Sequence, residues 1–130
     1  TAEIAEYVSG SGVLTNLNLY RNHIGVEGAK AIGKALAING VLTSLNLQSN
    51  CIRYEGAAAI AEALQGNGVL TALNLNDNRI GIEGAKALAA ALRVNEVLKN
   101  IDLSPNNLGD EGRKAIHDAV SGREGFELVI

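Results

Sequence analysis

Asn16–Asn22 reads NLNLYRN. The phrase returns as SLNLQSN at Ser44–Asn50, ALNLNDN at Ala72–Asn78 and NIDLSPN at Asn100–Asn106, each copy 28 residues after the last. The same step links Leu14, Leu42, Leu70 and Leu98, then Gly28, Gly56, Gly84 and Gly112, then Leu36, Leu64, Leu92 and Val120. A fixed period of this length marks a solenoid, in which each unit buries its apolar face only against its neighbours.

Two periodicities divide the unit. Leu17 and Leu19 alternate with Asn16, Asn18 and Tyr20, the period of two that a short strand requires. Gly28, Ala31, Ile32, Ala35 and Leu36 recur at i, i+3, i+4, i+7 and i+8, the stripe of an amphipathic helix. Glu27, Glu55, Glu83 and Glu111 stand just before that stripe, where a helix N-terminus favours negative charge. Asn39-Gly40 and Asn67-Gly68 follow it and suit a left-handed C-terminal stop. The unit is strand, turn, helix and loop, and its strands stack in parallel.

Composition excludes several function classes. A chain of 130 residues fits one domain with a usable core. Its net charge is −3 and no basic run exceeds two residues, which argues against nucleic acid and anionic membranes as partners. A single Cys forbids an internal disulfide and fits a reducing, cytoplasmic setting. His23 and His117 sit in different columns without a Cys or His at metal-ligand spacing. No cofactor and no metal site is expected. Asp77 and Asp102 would approach on adjacent strands, but an open sheet face excludes too little water to make them a catalytic pair. The expectation is a non-enzymatic protein.

LTSLNLQSNCI followed by EGAAAIAEAL resembles the leucine-rich repeat, L-x-x-L-x-L-x-x-N-x-I. The 28-residue unit with a helical second half is similar to the ribonuclease-inhibitor-like subtype. The resemblance implies an α/β horseshoe segment with a parallel concave sheet, convex helices, and recognition of protein partners. It also implies a role for Asn22, Asn50, Asn78 and Asn106: an asparagine ladder whose amides satisfy the backbone where each strand turns toward its helix. Relatives of this kind include nucleotide-binding receptor sensors and the Ran GTPase-activating protein, so GTPase activation stands as an alternative to simple binding.

Recognition is expected where the repeat is not repeated. The exposed strand face carries three columns: Asn16, Ser44, Ala72, Asn100; then Asn18, Asn46, Asn74, Asp102; then Tyr20, Gln48, Asn76, Ser104. The middle column is nearly constant and reads as a polar ladder along the sheet. The third column and its flank, Arg21, Ser49, Asp77 and Pro105, vary most, either as solvated drift or as a contact surface. Tyr20, Arg21, Gln48, Ser49, Asn76, Asp77 and Ser104 are the protein-binding candidates, with Tyr20 and Arg21 as anchors because Tyr and Arg dominate interface hot spots. Cys51 shares a column with His23, Arg79 and Asn107 and is expected near the surface as a passive thiol. Lys30, Lys86 and Lys114 read as a solvated helix face. Arg53 replaces the glycine of Gly25, Gly81 and Gly109, implying that this turn does not strictly require a glycine conformation. Beside it Tyr54 replaces Val26 and Ile82, so this spot is a second candidate contact.

The ends carry their own expectations. Residues 1–9 align with the helical half of an incomplete N-terminal repeat, and four full repeats run from about 13 to 122. Where earlier helices have Ala29, Ala57 and Ala85 the fourth has Arg113, and where they have Gly33, Ala61 and Ala89 it has His117. Polar residues in those columns suit a terminal unit. Residues 123–130 would then cap the stack, with Phe126 at the Leu98-type position. Four short strands offer roughly 300 Å² of face, against about 800 Å² per partner in a standard interface. The chain is therefore expected to be the C-terminal segment of a larger sensor or scaffold, or a purely structural cap of a longer receptor. Weak self-association is expected through the N-terminal strand edge.

Overall fold

The computed structural model describes residues 12–130, so the helical half expected over residues 1–9 lies outside the described residues. Among the described residues, five strands alternate with four helices: β1 (Asn16–Asn18), α1 (Gly25–Ile38), β2 (Ser44–Asn46), α2 (Arg53–Gly66), β3 (Ala72–Asn74), α3 (Gly81–Val94), β4 (Asn100–Asp102), α4 (Gly109–Val120) and β5 (Glu127–Val129). The strands form one parallel sheet in chain order. Leu17 stands opposite Leu45, Leu45 opposite Leu73 and Leu73 opposite Ile101, the one-unit register that the period requires. Helices pack about 8–10 Å apart while strands pair at about 4.8 Å. The stack must therefore curve, with the sheet on the concave side and the helices on the convex side.

The core lies between these layers. Leu45, Leu47, Leu73, Leu75, Ile101 and Leu103 enter it from the sheet, and Ile32, Leu36, Ile60, Leu64, Leu88 and Leu92 from the helices. The buried face of α1 is wider than its simple stripe: Ala29 and Gly33 are buried as well, while Ala31 is only half-buried. Ala29, Ala57 and Ala85 are fully buried because they touch the next helix. A methyl added at Gly56 would stand 2.5 Å from Ile52 Cγ2 and 2.8 Å from Ala29 Cβ, so close helix approach requires this glycine. The corresponding positions on α4, Arg113 and His117, are exposed. On the convex surface Lys30 pairs with Glu27 in its own helix, Lys114 with Asp118, and Lys86 with Glu111 of the following helix at 2.8 Å. The hydrogen bond and charge of Glu111 raise the Lys86 pKa, and those of Lys86 lower the Glu111 pKa.

Three expectations are corrected here. The helices do not end on a left-handed residue: Asn39, Asn67 and Asn95 are extended, with ψ of 126°, 121° and 116°. Their side chains make the stop, as described below, so the following Gly is dispensable and Asn95 is followed by Glu96. The second correction concerns the last strand. Glu127 pairs with Asn100 and Leu128 with Ile101, which places Phe126 opposite Lys99 rather than at the Leu98-type position. Helix α4 has 12 residues where the others have 14, and a tight turn follows, with Arg123 N–H donating to Val120 O and Phe126 N–H to Arg123 O. The unit is one residue short, and Leu128 takes the inward position. Third, the strands are three residues long, so Tyr20, Gln48, Asn76 and Ser104 stand in the turns after them.

Candidate functional site

Each turn from strand to helix is built from asparagine. Asn78 is fully buried. Its Oδ1 accepts the N–H groups of Asn50 at 2.8 Å and Ile52 at 3.4 Å, both one repeat earlier. Its Nδ2 donates to Leu47 O at 2.9 Å, Leu75 O at 3.1 Å and Asn76 O at 3.1 Å. Asn50 repeats this toward Asn22, Ile24, Leu19 and Leu47, and Asn106 toward Asn78, Ile80, Leu75 and Leu103. Asn22 is different. It is exposed, and its Nδ2 donates to Tyr20 O at 3.2 Å. The helix starts carry no side-chain cap of their own. Their first amides are held by the next repeat instead, as when Gly25 N–H donates to Asn50 O at 2.8 Å and Arg53 N–H to Asn78 O at 2.8 Å. This answers the unpaired donors that every helix start presents.

The nearly constant middle column is not a ladder along the sheet. Asn18, Asn46, Asn74 and Asp102 each accept, through Oδ1, the backbone N–H two residues on, at 2.9–3.1 Å. These are side-chain turns within single repeats, and they bend the chain out of the strand after three residues. Only the acceptor oxygen is used for this bond, which is why Asp102 substitutes for Asn without loss.

A second asparagine ladder closes the opposite end of each unit and was not legible as such. Asn39, Asn67 and Asn95 are buried, and their Oδ1 atoms accept the N–H groups two and three residues on. Asn67 Nδ2 donates to Leu36 O at 2.8 Å and Asn95 Nδ2 to Leu64 O at 2.7 Å. One step further stands Arg123, whose Nη1 donates to Leu92 O at 3.2 Å and whose Nη2 donates to Leu98 O at 2.6 Å. It takes over the donor role of the asparagine and stacks on Phe126, 4.6 Å from the ring centre. The spacing of Asn39, Asn67, Asn95 and Arg123 was the available signal.

The binding candidates lie along the ridge where strands become turns. Tyr20 is 44 % exposed, with the Arg21 guanidinium 5.5 Å from its ring centre. Gln48, Ser49, Asn76 and Ser104 are half-exposed and Asp77 is exposed. Some of them are tied together: Ser49 Oγ donates to Asp77 Oδ2 at 3.0 Å, and Asn76 Nδ2 donates to Ser104 O and to Asp102 Oδ1. Asp77 and Asp102 thus take different partners and form no carboxylate pair. His23 and Cys51 are exposed in the same turns. Among the described residues no group of three or more His, Cys, Asp and Glu is placed to hold a metal, and no helix is long and apolar enough to cross a membrane. The sheet face itself holds an open depression of about 370 Å³ lined by Ser44, Asn46, Asn74, Asn100 and Asp102 among others.

The turns impose an unusual backbone. Arg21, Ser49 and Asp77 have φ of 55–59°, and His23, Cys51, Arg79 and Asn107 have φ of 51–55°. A third left-handed position follows at Gly25, Arg53, Gly81 and Gly109, with φ of 61–71°. Arg53 therefore adopts the conformation of the glycines it replaces, which corrects the expectation that this turn does not strictly require a glycine conformation. Its N–H bond to Asn78 O, equivalent to that of Gly25, holds it there. In the fourth turn Pro105 breaks the pattern, following a cis peptide bond.

Comparison with known proteins agrees with this architecture. A family model described as "Leucine Rich repeat" matches residues 13–33, 39–61, 66–89 and 94–116. No curated protein matches. Among solved structures the chain is similar to leiomodin-1 actin-binding site 2, at 25% identity and a TM-score of 0.85, covering 98% of this chain and 76% of that one. It is similar in fold to the tropomodulin C-terminal domain of Caenorhabditis elegans, at 15% identity and a TM-score of 0.86, covering 99% of this chain and 81% of that one. With the profile matched in all four units and the strand, turn and helix of each in place, the chain belongs to the leucine-rich-repeat family.

Proposed function

We propose that this chain is a non-enzymatic protein-interaction module whose contact surface is the ridge running from Tyr20 and Arg21 to Asp77 and Ser104. One observation carries the reading: near-identical, hydrogen-bonded turns present a different exposed side chain in each repeat. The scaffold is constant because the asparagine ladders build it, and the ridge varies because nothing in the core depends on it. The 28-residue unit with a helix of 12–14 residues supports the ribonuclease-inhibitor-like subtype. The exposed thiol of Cys51 supports a cytoplasmic setting. Five strands of three residues offer only about 250 Å² of sheet face, well short of about 800 Å² per partner, which supports a place within a larger scaffold.

Actin is the first partner to test, because the leiomodin-1 segment to which the chain is similar is an actin-binding site. Co-sedimentation with filamentous actin and fluorescence anisotropy with monomeric actin would be run on wild type and on Tyr20→Ala/Gln48→Ala. Binding should fall at least about tenfold in the variant, with an unchanged melting temperature. No binding to either form of actin removes actin as the partner. Binding untouched by the variant removes the ridge. Stimulated hydrolysis by a Ran-type GTPase would favour the activator reading instead.

A further inference from the structure

We infer that the turn edge of this solenoid binds an acidic, extended segment of a partner protein through Arg21, Arg53 and Arg79. Three successive turns each place one arginine on this edge, and all three are exposed. They occupy three different columns, so repetition of one ancestral unit does not account for them. Each has a left-handed backbone, with φ of 55°, 61° and 55°. Glycine, asparagine and aspartate fill such positions most cheaply, and a bulky residue there is an outlier. Arg53 is the sharpest case, since the other three turns use glycine at its position. At Arg53, strain kept where glycine serves the other turns points to a use for the side chain.

The edge is also electrostatically unanswered. The chain carries a net charge of −3, yet among the described residues neither Arg53 nor Arg79 forms an ion pair. Two carboxylates near these turns in sequence have partners of their own: Asp77 accepts from Ser49, and Glu27 pairs with Lys30. Guanidinium groups grip carboxylates through paired, planar hydrogen bonds. Tyr20 and Tyr54, 44 % and 54 % exposed, flank them and supply apolar contact of the kind that anchors interfaces. The turns are stacked by backbone bonds, such as Arg21 N–H to Gln48 O and Arg53 N–H to Asn78 O. Three turns at about 4.8 Å per repeat span roughly 10 Å along the stack, and the arginines also differ in position along their turns, so about four to six extended residues are needed to cross them. A short acidic stretch lying across the stack would meet all three arginines.

This inference rests on the reading of the chain as a protein-binding module, and its test fails separately from that reading. A labelled peptide of alternating Asp and Glu, and a neutral Asn and Gln counterpart, would be titrated by fluorescence anisotropy at low and at raised salt. The proteins are wild type, Arg53→Gly/Arg79→Asn, and Lys30→Gln/Lys34→Gln as a charge-matched control on the convex side. Glycine and asparagine suit the left-handed backbone, so thermal melts should show the edge variant folded. The acidic peptide should bind wild type in a salt-sensitive way, and the edge variant should lose at least about tenfold in affinity. The control should lose less than about twofold, and the neutral peptide should not bind. Absence of binding, equal losses in both variants, or tighter binding of an oligodeoxynucleotide of equal charge would each overturn the inference. Actin binding that depends on Tyr20 and Gln48 but ignores Arg53 and Arg79 would keep the module reading and remove this one.

Discussion

Asn74 and Asn78 stand four residues apart in one copy of the repeated phrase and look interchangeable, but their hydrogen bonds are not. Asn78 is buried, accepts two backbone N–H groups, and donates to three carbonyls. Asn74 is half-buried and accepts one N–H, from Asn76 at 2.9 Å. Asn78→Asp keeps the acceptor, deletes both donors, and turns a carboxylate toward the carbonyls of Leu47, Leu75 and Asn76. An uncompensated buried charge costs about 3–5 kcal/mol, although the three carbonyls keep Asn50 Nδ2, Asn106 Nδ2 and Ser49 N–H as donors. Asn74→Asp changes nothing the turn uses, as Asp102 shows in the fourth repeat, and should stay within about 0.5 kcal/mol. The pH dependence has a definite sign. Burial among carbonyls raises the folded-state pKa of the carboxyl introduced at position 78 above its unfolded value of about 3.9. The native state then binds more protons than the unfolded one, so the charge part of the penalty is absent below that unfolded pKa. It grows as pH rises and is complete once pH passes the raised folded value. Urea melts of both variants at pH 7 and near pH 4 measure this directly. Equal losses at pH 7, or a gap between the variants that does not narrow at acid pH, would refute the assignment of Asn78 as a bridge between repeats and of Asn74 as a local turn.

Arg53→Gly should stabilise the fold by about 1 kcal/mol, since a left-handed arginine costs about 1–2 kcal/mol and glycine recovers part of it. Differential scanning calorimetry should show Tm rising by roughly 3–5 °C, and a fall would mean that the Arg53 side chain holds the turn. Gly56→Ala would gain up to about 1 kcal/mol if helix propensity decided the outcome. The crowding of Ile52 and Ala29 should instead cost about 1–3 kcal/mol, and a raised melting temperature would show that the helices have room to part. Among the described residues β1 pairs on one side only. Lysines in place of Asn16 and Asn18 should lower any self-association seen by light scattering across a concentration series. Persistence of association, combined with its loss on replacing Phe126 and Val129, would place the sticky edge at β5.

The period of Leu17, Leu45, Leu73 and Ile101 was enough by itself to determine the fold, the one-unit register and the parallel sheet. Each repeat contacts only its neighbours, so local pattern and global arrangement are nearly the same information. The small columns at Ala29, Ala57 and Ala85 were legible for the same reason. What the tertiary structure alone decided is where each polar side chain spends its hydrogen bonds. Asn74 and Asn78 are the same letter, and only the position of the neighbouring backbone separates a local turn from a bridge between repeats. Asn39-Gly40 has the composition of a left-handed stop, yet the carbonyl end of the preceding helix draws the asparagine of the next repeat inward, and the backbone extends instead. Arg53 implied a turn that does not strictly require a glycine conformation. The bond from its N–H to Asn78 O, made one repeat away, holds it left-handed regardless of its own preference. The register of β5 likewise depended on a six-residue turn whose length relative to the helix no periodic pattern encodes. Apolar burial follows position in the repeat and can be read from spacing. Polar satisfaction depends on which groups arrive from the neighbouring unit, and that is settled only when the units are stacked.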